Sequence, residues 1–355
     1  MMQWSDILHL QQLGRPVHNV DLGSLDGCAR HIENLVFSGV TWRDAALRGS
    51  NLSGVTFVDC DFRGADMRGM ALQLCSFTRC NLSQSRGAGM KGSQIALTGC
   101  DVSRSDWQGS ALALSAFNQC DLKHINLATS AWQRTVVAQS QLAGAVLAHA
   151  VLDQCVFTDI DFRGVAIDHL QASASVLRKA CFDGMDLRTV KLSRCMLEEA
   201  SFIQANLQGV DLRQANCRQS NWLRADLRNA DISGALMLEA IFEDVDATEA
   251  VCEGTILQGA TLRRAVFDRV RATGSVWDHA QLIDVGFHRA DLSYARFDHA
   301  GGGAVNLHRA NLAHSSWHNS RFSALDMHRA KRTRMRGTSL ARLNAEARSL
   351  SLETR

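Results

Sequence analysis

The chain has little of what most protein classes rely on. Among its 355 residues there is one proline, Pro16, and one tyrosine, Tyr294. No run of 18 purely apolar residues occurs, so a membrane-spanning helix is not expected. The opening segment MMQWSDILHL lacks a basic stretch followed by a long apolar core, which argues against an export signal. There is no CxxC pair, no HExxH motif and no phosphate-binding loop. No Ser/His/Asp or Cys/His set can be assigned, so no catalytic, cofactor or metal-binding residues are expected and no small-molecule substrate. A strong net charge is missing too: 38 basic and 36 acidic residues leave +2. At 46% hydrophobic and 21% charged the chain is not disordered. Its eleven cysteines, an odd number without an export signal, point to a reduced, cytoplasmic setting.

What is present is a repeat of five. All 14 Phe, and six of the seven Trp, have residue numbers that leave remainder 2 on division by five; Trp4 and Tyr294 are the aromatic exceptions. From Phe37 to Met327 the phase runs through 59 consecutive units without insertion or deletion. Of the central positions, 53 hold Leu, Ile, Val, Met, Phe, Trp or Cys. The six exceptions are small: Gly87, Gly92, Ala172, Ala247, Ala272 and Gly302. Two residues earlier the side chain is small or compact, and Asp or Asn often stands between, as in ADM at 65–67, ANL at 205–207, ADL at 225–227 and ANL at 310–312. A period of five is neither that of an amphipathic helix nor that of an alternating strand.

The pattern resembles the pentapeptide-repeat family and its A(D/N)LXX signature over residues 35–330. The resemblance implies an all-β fold, a right-handed quadrilateral parallel β-helix of about 15 coils, four pentapeptides making each coil of twenty residues. The expected organisation is a capping helix at 1–16, the β-helix at 17–330 and a basic tail at 331–355. Trp4, Ile7, Leu8 and Leu13 would form the apolar side of the first helix. Leu340, Leu343, Ala347 and Leu350 mark a second helix over 338–352, read as a cap or a dimerisation element. Residues twenty apart should stack, giving an interior aromatic column Phe162, Phe182, Phe202, Trp222, Phe242. Gly87 and Gly92 predict a pinched coil over 83–95.

The repeat also explains features that otherwise suggest chemistry. Cys60, Cys80, Cys100 and Cys120 fall at one inward position on successive coils, and a straight column cannot supply tetrahedral ligation. Nine of the eleven cysteines are expected inside as inert thiols, Cys28 and Cys181 being the others. GAGMKG at 87–92 matches GxGxxG literally but lies within the five-residue phase. The uncharged run 135–152 places Val136, Val146 and Val151 at solvent positions, either a plain surface or a modest partner patch.

Charge is uneven. Residues 261–355 carry 16 basic and 8 acidic side chains, whereas seven acids between Arg228 and Arg263 (Asp231, Glu239, Glu243, Asp244, Asp246, Glu249, Glu253) meet no Lys or Arg in sequence. FHRA, LHRA and MHRA recur every twenty residues, so His288, His308 and His328 should form one outward column beside Arg289, Arg309 and Arg329. Arg269 would extend the arginines by one coil, and Lys331, Arg332, Arg334 and Arg336 follow. The bland reading is a solvated basic face left by duplication of one coil. The functional reading is a non-enzymatic scaffold or adaptor whose basic end docks an acidic protein surface, more tightly as the histidines protonate. Nucleic acid or an anionic membrane would be a less expected partner, and a homodimer through the C-terminal end stays open. Two alternatives come from the family resemblance alone: a DNA-mimicking topoisomerase (gyrase) modulator, and an accessory or effector protein of a bacterial secretion system.

Overall fold

The computed structural model describes residues 2–353, with side chains described through Ala347. The fold is all-β, a parallel β-solenoid of about 16 turns with two short helices, α1 (Trp4–Gln12) and α2 (Leu340–Glu353). Paired residues lie twenty positions apart, as in Phe37↔Phe57 and Phe57↔Phe77. The register extends beyond the 37–327 phase at both ends: Val17 pairs with Phe37, and Ser316 with Arg336. The segment 331–336, expected as the start of a tail, is therefore coil.

The signature has a local cause at each position. Central and small residues are buried together, as in Ala200, Phe202, Ala205 and Leu207. The Asp or Asn between them turns its Oδ1 onto the backbone N–H two residues ahead, from Asp61 to Arg63 at 3.1 Å and from Asp231 to Ser233 at 3.0 Å. That bond braces the bend at the corners that carry Asp or Asn, while the corners after Leu236, Val251 and Ile256 turn in the same way without it. At the small position a thiol or hydroxyl spans two coils. Cys60 Sγ reaches the carbonyls of Phe37 at 3.5 Å and Val58 at 3.4 Å, and Ser175 Oγ contacts those of Leu152 and Ser173 in the same way, each at 3.3 Å. Nine cysteines are buried, while Cys28 is exposed and Cys181 half-buried, as the phase requires.

The chain divides into two compact units. The first, Met1–Cys181 with Thr189–Lys191, contains two eight-stranded parallel sheets. In it, α1 buries Ile7 and sets Trp4 6.3 Å from Trp42, with the Trp4 indole donating to the Asp26 carbonyl at 2.6 Å. Leu8 and Leu13, expected on the apolar side, are 42% and 53% exposed. The helix is too short to turn more than one stripe inward. The pinch at Gly87 and Gly92 does not occur either. Gly87 keeps its ladder bond to Asp106, and Trp107 and Leu112 of the next coil fill the space that the missing side chains leave.

The second unit, Phe182–Arg188 with Leu192–Arg355, includes a six-stranded parallel sheet from Ile241–Glu243 to Arg321–Asp326. Its interior carries the aromatic column: Phe202 lies 5.3 Å from Phe182 and 4.2 Å from Trp222, and Trp222 lies 5.9 Å from Phe242. The remaining member, Phe162, belongs to the first unit.

Candidate interaction surface

The second unit brings the predicted histidines together. His288 and His308 stack with centroids 5.1 Å apart and planes 8° from parallel; His308 and His328 follow at 5.2 Å and 19°. Arg289, Arg309 and Arg329 stand next to them at coil corners with φ of +57°, +59° and +57°. All three are exposed, and no ion pair of the described residues involves them. Arg269 differs: it reaches Glu249 at 2.9 Å and is neutralised there.

The same contrast holds across the unit. Of the seven acids that lack a basic neighbour in sequence, six have one in space. Asp231 meets Arg213, Glu239 meets Arg218, Glu243 and Asp244 share Arg264, Asp246 meets Arg228, and Glu249 meets Arg269. The expected acidic face is thus largely compensated by arginines one coil away. The basic end is not. Lys331, Arg332, Arg334 and Arg336 are exposed and take part in no ion pair of the described residues. Lys331 bridges to Asn311 and Arg336 to Ser316 through backbone, so these cations sit on a paired coil rather than on a free tail. Arg332 occupies the phase that is apolar in the preceding coils. A guanidinium there ends the stack, since another coil would have to bury it.

Two further features were not read from the sequence. Tyr294, 62% exposed, stacks on His314 at 4.7 Å and 2°, and both line a shallow surface with Arg334 and Arg336. Their twenty-residue spacing was a usable signal. The second is a polar clasp that seats α2. Arg342 pairs with buried Asp298 at 2.6 Å and with Glu346 at 2.9 Å, while Glu346 Oε2 lies 3.2 Å from His318 Nε2 and 3.4 Å from His299 Nε2. Asp298 also accepts from the Ser316 hydroxyl at 2.7 Å and the His318 backbone N–H at 2.9 Å. Burial raises the Asp298 carboxyl, but the bonds from Ser316, Arg342 and His318 outweigh it and the net shift is downward. Glu346 is likewise lowered: desolvation opposes, and His318, His299 and Arg342 prevail.

His299, His318 and Glu346 offer three ligand atoms within 4.8 Å of one another, the spacing of a metal site. The hydrogen bonds assign them otherwise. Ser339 donates its backbone N–H to His318 Nδ1 at 3.1 Å, which leaves the ring proton on Nε2. Nε2 then donates to Glu346, and its lone pair is not available to a metal.

α2 therefore attaches beside Asp298 and His318. Phe322 and Met327 of the last coil stay half-buried, Leu325 is 40% exposed, and Leu340 of the helix is 73% exposed. The side chain of Leu350 lies outside the described residues. Elsewhere, the interior is packed. Beneath α1 a cavity of about 10 Å³ is lined by Trp4, Trp42 and Phe57, room for one water at most. Val136 and Val151 are 38% and 41% exposed, and Val146 is half-buried. No described helix is long and apolar enough to cross a membrane.

A family model for pentapeptide repeats matches in eight copies, over residues 34–69, 140–178, 173–209, 205–244, 225–264 and 248–276. The chain belongs to the pentapeptide-repeat family. Similar solved structures include HetL, a pentapeptide repeat protein involved in heterocyst differentiation regulation from the cyanobacterium Nostoc sp. strain PCC 7120. It is 18% identical over 78% of this chain and 97% of that one, with a TM-score of 0.35. QnrB1, a plasmid-mediated fluoroquinolone resistance protein, is 18% identical over 52% of this chain and 91% of that one, with a TM-score of 0.39. Rfr23 from the cyanobacterium Cyanothece 51142 is 15% identical over 48% and 88%, with a TM-score of 0.16. No curated protein sequence matches the chain.

Proposed function

We propose that the chain is a non-enzymatic interaction scaffold, and that the basic surface of its last coils docks an acidic surface on a partner protein. The observation that carries this reading is the asymmetry of ion pairing. Arg213, Arg218, Arg228, Arg264 and Arg269 find carboxylates a coil away, whereas Arg289, Arg309, Arg329, Lys331, Arg332, Arg334 and Arg336 find none. Cations stacked at coil spacing repel one another, and an anionic partner relieves that repulsion. The test is affinity capture from the native cell with cross-links mapped to residues. Neutralising Arg329, Lys331, Arg332, Arg334 and Arg336 should abolish the cross-links at this end; an unchanged set of cross-links refutes the reading.

A second, compatible reading is self-pairing through the last coil, favoured by the partly exposed Phe322, Leu325 and Met327. Sedimentation of a Leu325→Glu variant tests it: a dimer that dissociates supports the pairing, and an unchanged sedimentation coefficient rejects it. The topoisomerase alternative draws no support from the ion pairs, because the acidic stretch 231–253 is compensated.

A further inference from the structure

Resting on that reading, we propose that the histidine–arginine ladder fits one class of acidic partner, an α-helix with a stripe of Glu or Asp along one face. The match is one of spacing. The ladder repeats every 5.1–5.2 Å. A helix laid along it rises about 1.5 Å per residue, so carboxylates at i, i+4 and i+7 stand about 6.0 and 10.5 Å along its axis, within about 1 Å of the second rung and closer still at the third. An extended strand presents same-face side chains about 6.6–6.8 Å apart, and slips by more than 1 Å at each rung. The helix keeps step where the strand does not.

The chemistry of each rung suits a carboxylate. Every rung pairs an imidazole with a neighbouring corner guanidinium: His288 with Arg289, His308 with Arg309 and His328 with Arg329. Two carboxylates face this ladder from its own unit, and backbone already occupies one oxygen of each. Asp268 Oδ1 accepts from the His288 N–H and Asp326 Oδ1 from the His328 N–H, both at 2.9 Å. The middle ring therefore sits between two imidazoles and beside Arg309. Desolvation, then His288, Arg309 and His328, hold His308 below the ordinary histidine range against the opposing pull of Asp326. A partner carboxylate reverses the electrostatic part of that shift, so docking takes up protons and strengthens as pH falls.

The test uses the full chain and defined probes: a helical alanine-based peptide with Glu at i, i+4, i+7 and i+11, the same composition with Glu dispersed around the helix, a proline-broken version, and a short oligothymidylate. Fluorescence anisotropy at about pH 6 and about pH 8 reads the affinities. The striped helix should bind about tenfold tighter than the dispersed one at the lower pH. In the triple variant His288→Gln, His308→Gln, His328→Gln, binding at the higher pH should persist while its pH dependence falls below about twofold. Equal affinity for striped and dispersed helices, or tighter binding of the proline-broken peptide or the oligothymidylate, overturns the helix match and leaves the acidic-docking reading standing. Failure of every anion to bind overturns that reading itself.

Discussion

Trp222 donates its indole N–H to the hydroxyl of Ser220, two residues earlier, at 2.7 Å in a fully buried setting. Trp277 with Ser275 and Trp317 with Ser315 repeat the arrangement at 2.7 and 2.9 Å. In these three pairs the small inward position completes the polar end of the tryptophan two residues on, whereas Ser130 and Trp132, at the same spacing, do not bond. Ser220→Ala leaves a buried donor unpaired and should cost about 1–3 kcal/mol, measured by chemical denaturation. In a Trp222→Phe background the same change should cost much less, since the donor is already gone.

Two glycines of the same phase should respond differently to alanine. Gly302 has φ +139°, and an added Cβ would meet the Leu282 carbonyl oxygen at 2.2 Å. Gly302→Ala should therefore destabilise by about 2–4 kcal/mol, because neither backbone can yield. At Gly87 the first obstacle is the Trp107 ring at 2.9 Å, and a side chain can shift. Gly87→Ala should cost about 1 kcal/mol. Thermal unfolding of both variants decides.

Acid should weaken the first unit through its Asp–Arg pairs. The Arg63 guanidinium foremost holds Asp61 down to about 2 from 3.8, and Arg68 foremost lowers Asp66 further. Carboxyls depressed on folding contribute stability above their ordinary value, and that contribution is lost as pH falls through the folded one. After allowance for solvent screening, Asp61 should contribute about 1 kcal/mol, disappearing between about pH 4 and pH 2. Asp61→Asn should be less stable at neutral pH and show a flatter acid limb in denaturation.

Much of this was legible in the sequence, for a physical reason. When each coil packs only on its neighbours, position modulo twenty gives the contacts, so the aromatic column, the buried cysteines and the histidine ladder follow from numbering. Whatever depends on side-chain reach or on non-repeating chain was not legible. Glycine at 87 and 92 gave no hint that Trp107 and Leu112 would fill the space. Acids without a basic neighbour in sequence found arginines 18–21 residues away. The seat of α2 on Asp298 and His318 joins a helix to a coil by tertiary contact alone.

That seat makes α2 separable from the solenoid. Asp298→Asn removes the charge that Arg342 answers and should raise amide exchange in 340–347 several-fold, with little change in the coils around Phe297 and Trp317. Hydrogen exchange read by mass spectrometry checks both halves.

The central claim is that unpaired cations, rather than net charge, make the last coils a docking surface. It is tested most directly by removing two equal sets of charge and measuring affinity for the striped acidic helix. Arg289→Ser with Arg309→Ser takes away two unpaired guanidiniums, and Arg264→Ser with Arg269→Ser takes away two that are paired with Glu243, Asp244 and Glu249. The account predicts a loss of about tenfold or more for the first pair and less than about twofold for the second. Equal losses would contradict it.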